Sequence, residues 1–379
     1  MARLGDIGKI ITGNTPKTSE IENYSSNDIC FVKPSDILES DITYVKDSEF
    51  YISELARDKA RILPPQSILV TCIGIIGKVA INQVECAFNQ QINAIIPNLN
   101  TCVPNYLAYA IQYKKNEIQG IANAAVVPIL NKTQFSDIEV NLPQLDEQLK
   151  IAAVLDKLTN LISLRKQQLA KLDELVKVRF VEMFGEYDIS NIQDSWKMIS
   201  EIGTIIGGAT PKTGVEEYWN GEYRWITPAE LENDSGYIYD SVRKLTKAGV
   251  KSCSLQKLPK GTVVLSSRAP IGKLAIAGES FYCNQGFKNI LCGESVLPWY
   301  LYVILLFNTD YLNSLGHGAT FKEISKSVVE NIKIPVPELK LQEEFSKFVE
   351  QTHRQKLTIQ QSLDKLEVLR KSLMQEYFG

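Results

Sequence analysis

The sequence predicts an α+β protein: two tandem domains of the same build, separated by two long α-helices that pair as an antiparallel coiled coil. Three observations carry that expectation. The chain of 379 residues repeats itself at an interval of about half its length; the first part of each copy is written in short β-rich runs; and the last part turns abruptly into a proline-free helical pattern.

The repeat sets the number of domains. TGNTPKT (12–18) returns as GGATPKT (207–213). At an offset of 195, ILPPQSILVTCIGIIGKVAI (62–81) lies over KLPKGTVVLSSRAPIGKLAI (257–276), and Asn89-Gln90 lies over Asn284-Gln285. A slip to 194 then aligns Pro34 with Pro228, Pro104 with Pro298, and NLPQLDEQ (141–148) with PVPELKLQ (335–342). A period of roughly 190 residues is far longer than a solenoid repeat of about 20–50, so each copy is expected to hold a core of its own.

Within each copy, 1–141 and 186–335 are rich in Ile, Val, Tyr and Thr, broken by Gly, Pro, Asn and Ser. ITYV, SILVTCI, KVAI and NAIIP read as strands, with TVVLSS and KLAIAG as counterparts in the second copy. PNYLAYAIQYKKNEIQ (104–119) reads as a helix with Pro in its first turn. At NLPQ and PVPE the composition changes to Leu, Lys, Gln, Asp, Glu and Ala, and from Asp146 to Gly185 there is no Pro and only the terminal Gly.

The helical stretches, 142–185 and 336–379, carry apolar residues in steps of three and four: Leu155, Leu158, Ile162, Leu169, Leu172 and Val176 in the first, and Val349, Ile359, Leu363, Leu366 and Leu373 in the second. Polar residues interrupt the same lattice at Arg165, Arg179, Thr352, Lys356 and Arg370. Such a seam must find a partner, because an isolated amphipathic helix leaves its apolar stripe in water. Antiparallel pairing sets position 155 opposite 377, Arg165 near Arg370, and Arg179 near Thr352 and Lys356. Roughly 38 residues at about 1.5 Å each make a rod of about 57 Å, long enough to act as a spacer.

Composition narrows the class. With 44% hydrophobic and 22% charged residues the chain has the apolar material for two globular domains. No apolar run approaches the 18 or so residues of a membrane span, and MARLGDIGKI does not resemble a signal peptide, so a cytoplasmic location is expected. Cys30, Cys72, Cys86, Cys102, Cys253, Cys283 and Cys292 are scattered and odd in number, which favours reduced thiols over disulfides or zinc. The net charge of −3 does not advertise nucleic-acid binding, yet Ser241 to Gly278 holds eight basic residues and no acid. Such a run is either a solvated face or a phosphate contact.

Catalytic and ligand-binding signatures fail in turn. His317 and His353 are the only histidines and have no metal-ligand spacing; the first reads as a loop hydrogen-bonder and the second as a solvated helix residue. GIIGK (74–78) and PIGK (270–273) resemble the tail of a phosphate loop, but Cys72 and Ser267 stand where its first Gly is required. Val79 and Leu274 replace its hydroxyl residue. No dinucleotide fingerprint is present. The chain is expected to bind and position, with no catalytic residue, no metal and no cofactor of its own.

These words in this order resemble one family: the specificity (S) subunit of type I restriction–modification systems. The resemblance rests on the G-x-T-P opening of each half, the I-G-K segment, the N-Q pair, and the proline-marked entry to each long helix, clearest in IKIPVPELKLQEE (332–344). It covers nearly the whole chain. It implies two pseudo-symmetric target-recognition domains, 1–141 and 186–335, alternating with coiled-coil spacers, 142–185 and 336–379. It further implies a bipartite double-stranded DNA target with one half-site per domain, two modification (methyltransferase) subunits, and two restriction subunits in the full complex. S-adenosylmethionine, ATP and Mg then belong to the partners. The alternatives are the specificity component of a stand-alone or type II-like methyltransferase or nuclease assembly, and a coiled-coil scaffold without sequence-specific DNA binding.

If the halves read different half-sites, residues common to both cannot carry the difference. Lys17, Lys78, Asn89, Lys212, Lys273 and Asn284 are therefore expected as scaffold or DNA-backbone contacts. Base readers should stand where the copies diverge and offer paired donors and acceptors. The candidates are Lys33, Ser35, Arg57, Lys59 and Gln91 in the first copy, and Thr227, Arg243, Lys244, Lys251 and Arg268 in the second.

Overall fold

The computed structural model describes residues 1–122, 128–186, 188–190, 193–232, 234–268, 270–316 and 322–379. The chain divides into two compact units. Unit 1 is Met1–Lys166 with Gln361–Gly379, and unit 2 is Gln167–Gln360. Each unit takes part of both long helices.

Among the described residues, unit 1 holds a five-stranded sheet in the order Gly8–Thr12, Ile92–Pro97, Ile68–Thr71, Val79–Asn82, Thr43–Val45. Only the last pair is parallel. Its central strands are buried along their whole length, which is why ILVT and VAIN read as continuous runs rather than alternating ones. Period two still sorts the side chains. Ile68, Val70, Val79 and Ile81 face a core shared with the helix Pro104–Tyr113, whereas Leu69 and Ala80 join Val32, Leu63, Cys86 and Phe88 on the other side. That second core belongs to a four-stranded sheet in the order Tyr51–Ile52, Ile29–Val32, Cys86–Phe88, Ile62–Leu63.

Unit 2 repeats the plan. Its five strands run Gly203–Gly207, Lys288–Cys292, Val263–Leu265, Leu274–Ala277, Asp234–Ile238, again with only the last pair parallel. Val263, Leu265, Leu274 and Ile276 face the helix Pro298–Phe307, while Val264, Ala275 and Ala277 face Ile226, Phe281 and Cys283. The second sheet has three strands, Arg243–Leu245, Trp219–Ile226 and Tyr282–Cys283.

The long helices are Leu145–Phe184 and Leu339–Phe378. A buried glutamine anchors each start. The Gln148 side chain accepts from Val103 N and donates to the carbonyls of Thr101 and Pro143, and Gln342 does the same with Leu297 N, Ser295 and Pro337. Tyr106 and Tyr300 add hydroxyl bonds to the carbonyls of Asn141 and Pro335.

The helices pair antiparallel within each unit. In unit 1, Lys166 meets Glu367 at 3.2 Å, and Leu373 and Phe378 pack on the core that contains Leu155. In unit 2, Lys356 meets Asp173, and Phe180 and Phe184 pack on Phe345. Of the apolar seam positions, Leu155, Leu158, Ile162, Val349 and Leu363 are buried, and Leu169, Leu172, Val176, Ile359, Leu366 and Leu373 are half-buried. Of the polar ones, Arg370 reaches Asp41 at 2.7 Å and Arg179 reaches Glu182 at 2.7 Å, so each is supplied with its own carboxylate. Among the described residues no helix is long and apolar enough to cross a membrane.

Candidate nucleic-acid interface

The words common to both copies find one another in space. Thr15 Oγ1 donates to Gln90 Oε1 at 2.7 Å, and Thr210 Oγ1 donates to Gln285 Oε1 at 2.6 Å. The glycines of the two G-x-T-P openings are required by close approach, since a Cβ on Gly13 or Gly208 would lie 2.1 Å from the carbonyl oxygen of Asn89 or Asn284. Lys78 Nζ donates to the carbonyl of Pro34 at 3.1 Å, and Lys273 Nζ to those of Pro228 at 3.3 Å and Leu231 at 2.5 Å. The lysine of the phosphate-loop look-alike is thus turned onto a neighbouring 3₁₀ turn of its own unit. Asn89 Oδ1 accepts from Gln91 N, with Gln91 Oε1 accepting from Asn89 Nδ2 in return, and Asn284 Oδ1 accepts from Gly286 N. Lys17 and Lys212 are exposed, the former 3.8 Å from Glu20.

The divergent candidates separate by what holds them. Arg57 is clamped by Glu54 and Glu85, which push its guanidinium pKa further up. Lys59 Nζ bonds Glu20 and Asn23, both at 2.9 Å, and with Asn23 and Lys17 it holds the Glu20 carboxyl below the ordinary range. Lys244 pairs with Asp240 at 3.1 Å. Arg268 pairs with Glu323 at 3.0 Å, and Lys288 approaches the same carboxylate at 3.2 Å. Burial alone would raise the pKa of Glu323, but Lys288 and Arg268 bring it below the ordinary value. Any DNA contact by Arg268 competes with this pair. Thr227 caps the turn at Glu230, its amide donating to Glu230 Oε1 at 2.9 Å. Ser35 and Lys251 are exposed.

Lys33 and Arg243 are held differently. Lys33 Nζ sits 3.0 Å from the ring centroid of Phe50, and the Arg243 guanidinium 3.6 Å from that of Trp219. Lys33 also lines a cleft of about 440 Å³ with Thr15, Thr18, Ile21, Tyr24, Phe31, Phe50 and Asn89. Sequence reasoning missed these aromatic seats. Their signal was the alignment of Phe31 with Trp225 at the 194 offset, beside a change of Lys33 to Thr227.

His353 corrects an expectation: rather than standing in solvent, its ring lies 5.5 Å from Trp299 and is half-buried. His317 lies outside the described residues. All seven cysteines are free thiols. Burial pushes the Cys72 thiol up to about 11 and those of Cys86, Cys102, Cys283 and Cys292 up to about 12, which suppresses the thiolate a nucleophile needs. A thiol reagent at about pH 8 is therefore expected to modify only Cys30 and Cys253 in the folded protein and all seven after denaturation. Mass mapping of the labelled peptides checks this; fast labelling of Cys86 or Cys283 in the native protein would contradict the packing.

Comparison with known proteins gives the frame for these contacts. The family model described as the type I restriction modification DNA specificity domain matches residues 1–174 and again 194–368. The MjaIX type I restriction enzyme specificity subunit of Methanocaldococcus jannaschii is 44% identical over 169 residues, 43% of this chain and 39% of that protein. The putative MjaX specificity subunit of the same organism is 28% identical over 294 residues, 72% of this chain and 67% of that protein. A crystal structure of the type I restriction–modification system S subunit from M. genitalium superposes with a TM-score of 0.65 at 14% identity, covering 100% of this chain and 95% of that one, and so shares its fold. With both halves matched by the same domain model, the chain belongs to the type I restriction–modification DNA specificity family.

Proposed function

We propose that this chain is the non-catalytic DNA-specificity subunit of a type I restriction–modification complex. In this reading 1–141 and 186–335 are target-recognition domains, each reading one half of a bipartite double-stranded site. The helical segments 142–185 and 336–379 set the gap between half-sites and dock two modification subunits. The observation that carries the reading is the double occurrence of the specificity domain, each copy continuous with one of two antiparallel 40-residue helices. Two readers joined by a stiff spacer suit two short half-sites one helical turn apart better than one contiguous site. S-adenosylmethionine, ATP and Mg act on the partner subunits, and restriction subunits join in the full complex. A cytoplasmic setting follows from that role.

Co-expression of the chain with its modification subunit, followed by single-molecule sequencing of the host DNA, tests this. The expected result is adenine methylation at one motif made of two short half-sites separated by a constant number of unspecified base pairs. Methylation at a single contiguous motif, or none that depends on the chain, would refute the bipartite reading.

A further inference from the structure

We propose that in each unit a cation seated on an aromatic face is the point that reads a guanine: Lys33 on Phe50 in unit 1 and Arg243 on Trp219 in unit 2. This rests on the DNA-specificity reading and assigns the residues that execute it.

The two seats are equivalent places in the duplicated fold, as their hydrogen bonds show. Phe31 N donates to Ser48 Oγ at 3.1 Å as Trp225 N does to Ser241 Oγ at 3.0 Å. Lys33 N donates to Asp36 at 2.7 Å as Thr227 N does to Glu230 at 2.9 Å. Glu49 N donates to the second oxygen of Asp36 at 3.1 Å as Val242 N does to that of Glu230 at 2.7 Å. Hence Phe31 corresponds to Trp225, Lys33 to Thr227 and Phe50 to Arg243. The cation has changed places: unit 1 carries it on the residue after Ile29–Val32 and places a ring opposite, whereas unit 2 has threonine there and carries the cation where the ring was. In both, a second aromatic lies beneath, with Phe31 at 5.9 Å from Lys33 and Trp225 at 5.4 Å from Arg243.

Both seats are tied to the repeated G-x-T-P loop. Tyr24 OH donates to the Pro16 carbonyl at 2.7 Å; Trp225 Nε1 donates to that of Ala209 at 3.0 Å and Trp219 Nε1 to that of Lys212 at 3.3 Å. The loop is the part the copies share, and the cation is the part they vary, which is the division expected of a scaffold and its reader.

The holding chemistry separates these two from the paired cations among the candidates. Arg57, Lys59, Lys244 and Arg268 are each neutralised by a carboxylate. Among the described residues neither Lys33 nor Arg243 has an ion-pair partner. A ring face fixes a cation's position without cancelling its charge. It leaves the in-plane N–H donors of a guanidinium, and the outward N–H groups of an ammonium, free for another acceptor. The O6 and N7 acceptors of guanine in the major groove are the base edge that Arg and Lys match best.

The test uses the full chain with its modification subunits and maps methylated motifs for the wild type, Lys33→Met and Arg243→Met. Lys33→Met is expected to lower guanine discrimination at one position of one half-site by about 10-fold and leave the other half-site intact, which also certifies the fold. Arg243→Met does the same at the other half-site, and Lys33→Arg restores the preference lost in Lys33→Met. Weaker methylation at every sequence with the motif unchanged would make these phosphate contacts and overturn the proposal, as would identical motifs for Lys33→Met and Lys33→Arg. Failure of the underlying reading looks different, since the wild type itself would then show no two-part motif.

Discussion

Phe180→Ala is expected to destabilise unit 2 by about 3–5 kcal/mol. Phe180 lies on the first long helix, is 3% exposed, and has its ring 5.1–6.0 Å from those of Phe184, Tyr300, Phe307 and Phe345. Truncation removes the transfer energy of a buried phenyl and leaves a hole between the two long helices and the helix Pro298–Phe307, and rigid aromatic neighbours cannot collapse to fill it. Edge-to-face pairs with Phe307 and Phe345 are lost as well. For a unit of this size the melting temperature should fall by roughly 10 °C. Calorimetry of the full chain checks it, with the transition of unit 1 as internal reference. A fall below about 2 °C would mean that the aromatic cluster does not hold the helices to this unit.

The second large effect is expected at the glutamine that opens the second long helix. Gln342→Leu strips one bond from Leu297 N and one each from the carbonyls of Ser295 and Pro337 at a position with 0% exposure. An unsatisfied buried polar group costs about 1–3 kcal/mol, so three lost bonds should sum to about 3–5 kcal/mol after relaxation. Gln342→Glu keeps the acceptor but turns its second carboxyl oxygen onto the carbonyls of Ser295 and Pro337. As a buried carboxylate it should destabilise at least as much as Gln342→Leu at neutral pH, and less where the acid is protonated and regains one donor. Urea denaturation gives the ranking. Equal stability of Gln342→Leu and the wild type would show that the helix start is fixed by Pro335 and Pro337 alone.

How much of this the sequence disclosed depends on the range over which each contact is made. The duplication was legible because its words bind each other: the Thr of T-P meets the Gln of N-Q, and the I-G-K lysine meets the Pro turn. The long helices were legible because a three-and-four spacing sustained over 40 residues has no other outlet. The second sheet was not. Its strands Tyr51–Ile52, Ile62–Leu63 and Tyr282–Cys283 are two residues long and take their structure from neighbours rather than from local pattern.

Charge was read least well, because neutralising partners come from far along the chain. Ser241 to Gly278 is basic with no acid of its own, yet Glu323 reaches Arg268 from 55 residues away and Asp240 reaches Lys244 from just outside the run. The same distance effect hid the difference between Lys59, paired to a Glu20 that lies 39 residues off, and Lys33, which rests on a ring.

Unit 1 is completed by Gln361–Gly379, which follow all of unit 2 in the chain. Phe378 lies 5.3 Å from Tyr106 and 6.1 Å from Tyr113, and Tyr113 OH bonds Gln375. On the ribosome the order of maturation is therefore inverted: the half made first must wait, part of its core open, until the half made second has been synthesised. A late frameshift would injure the early half, and chaperone dependence during translation should concentrate there.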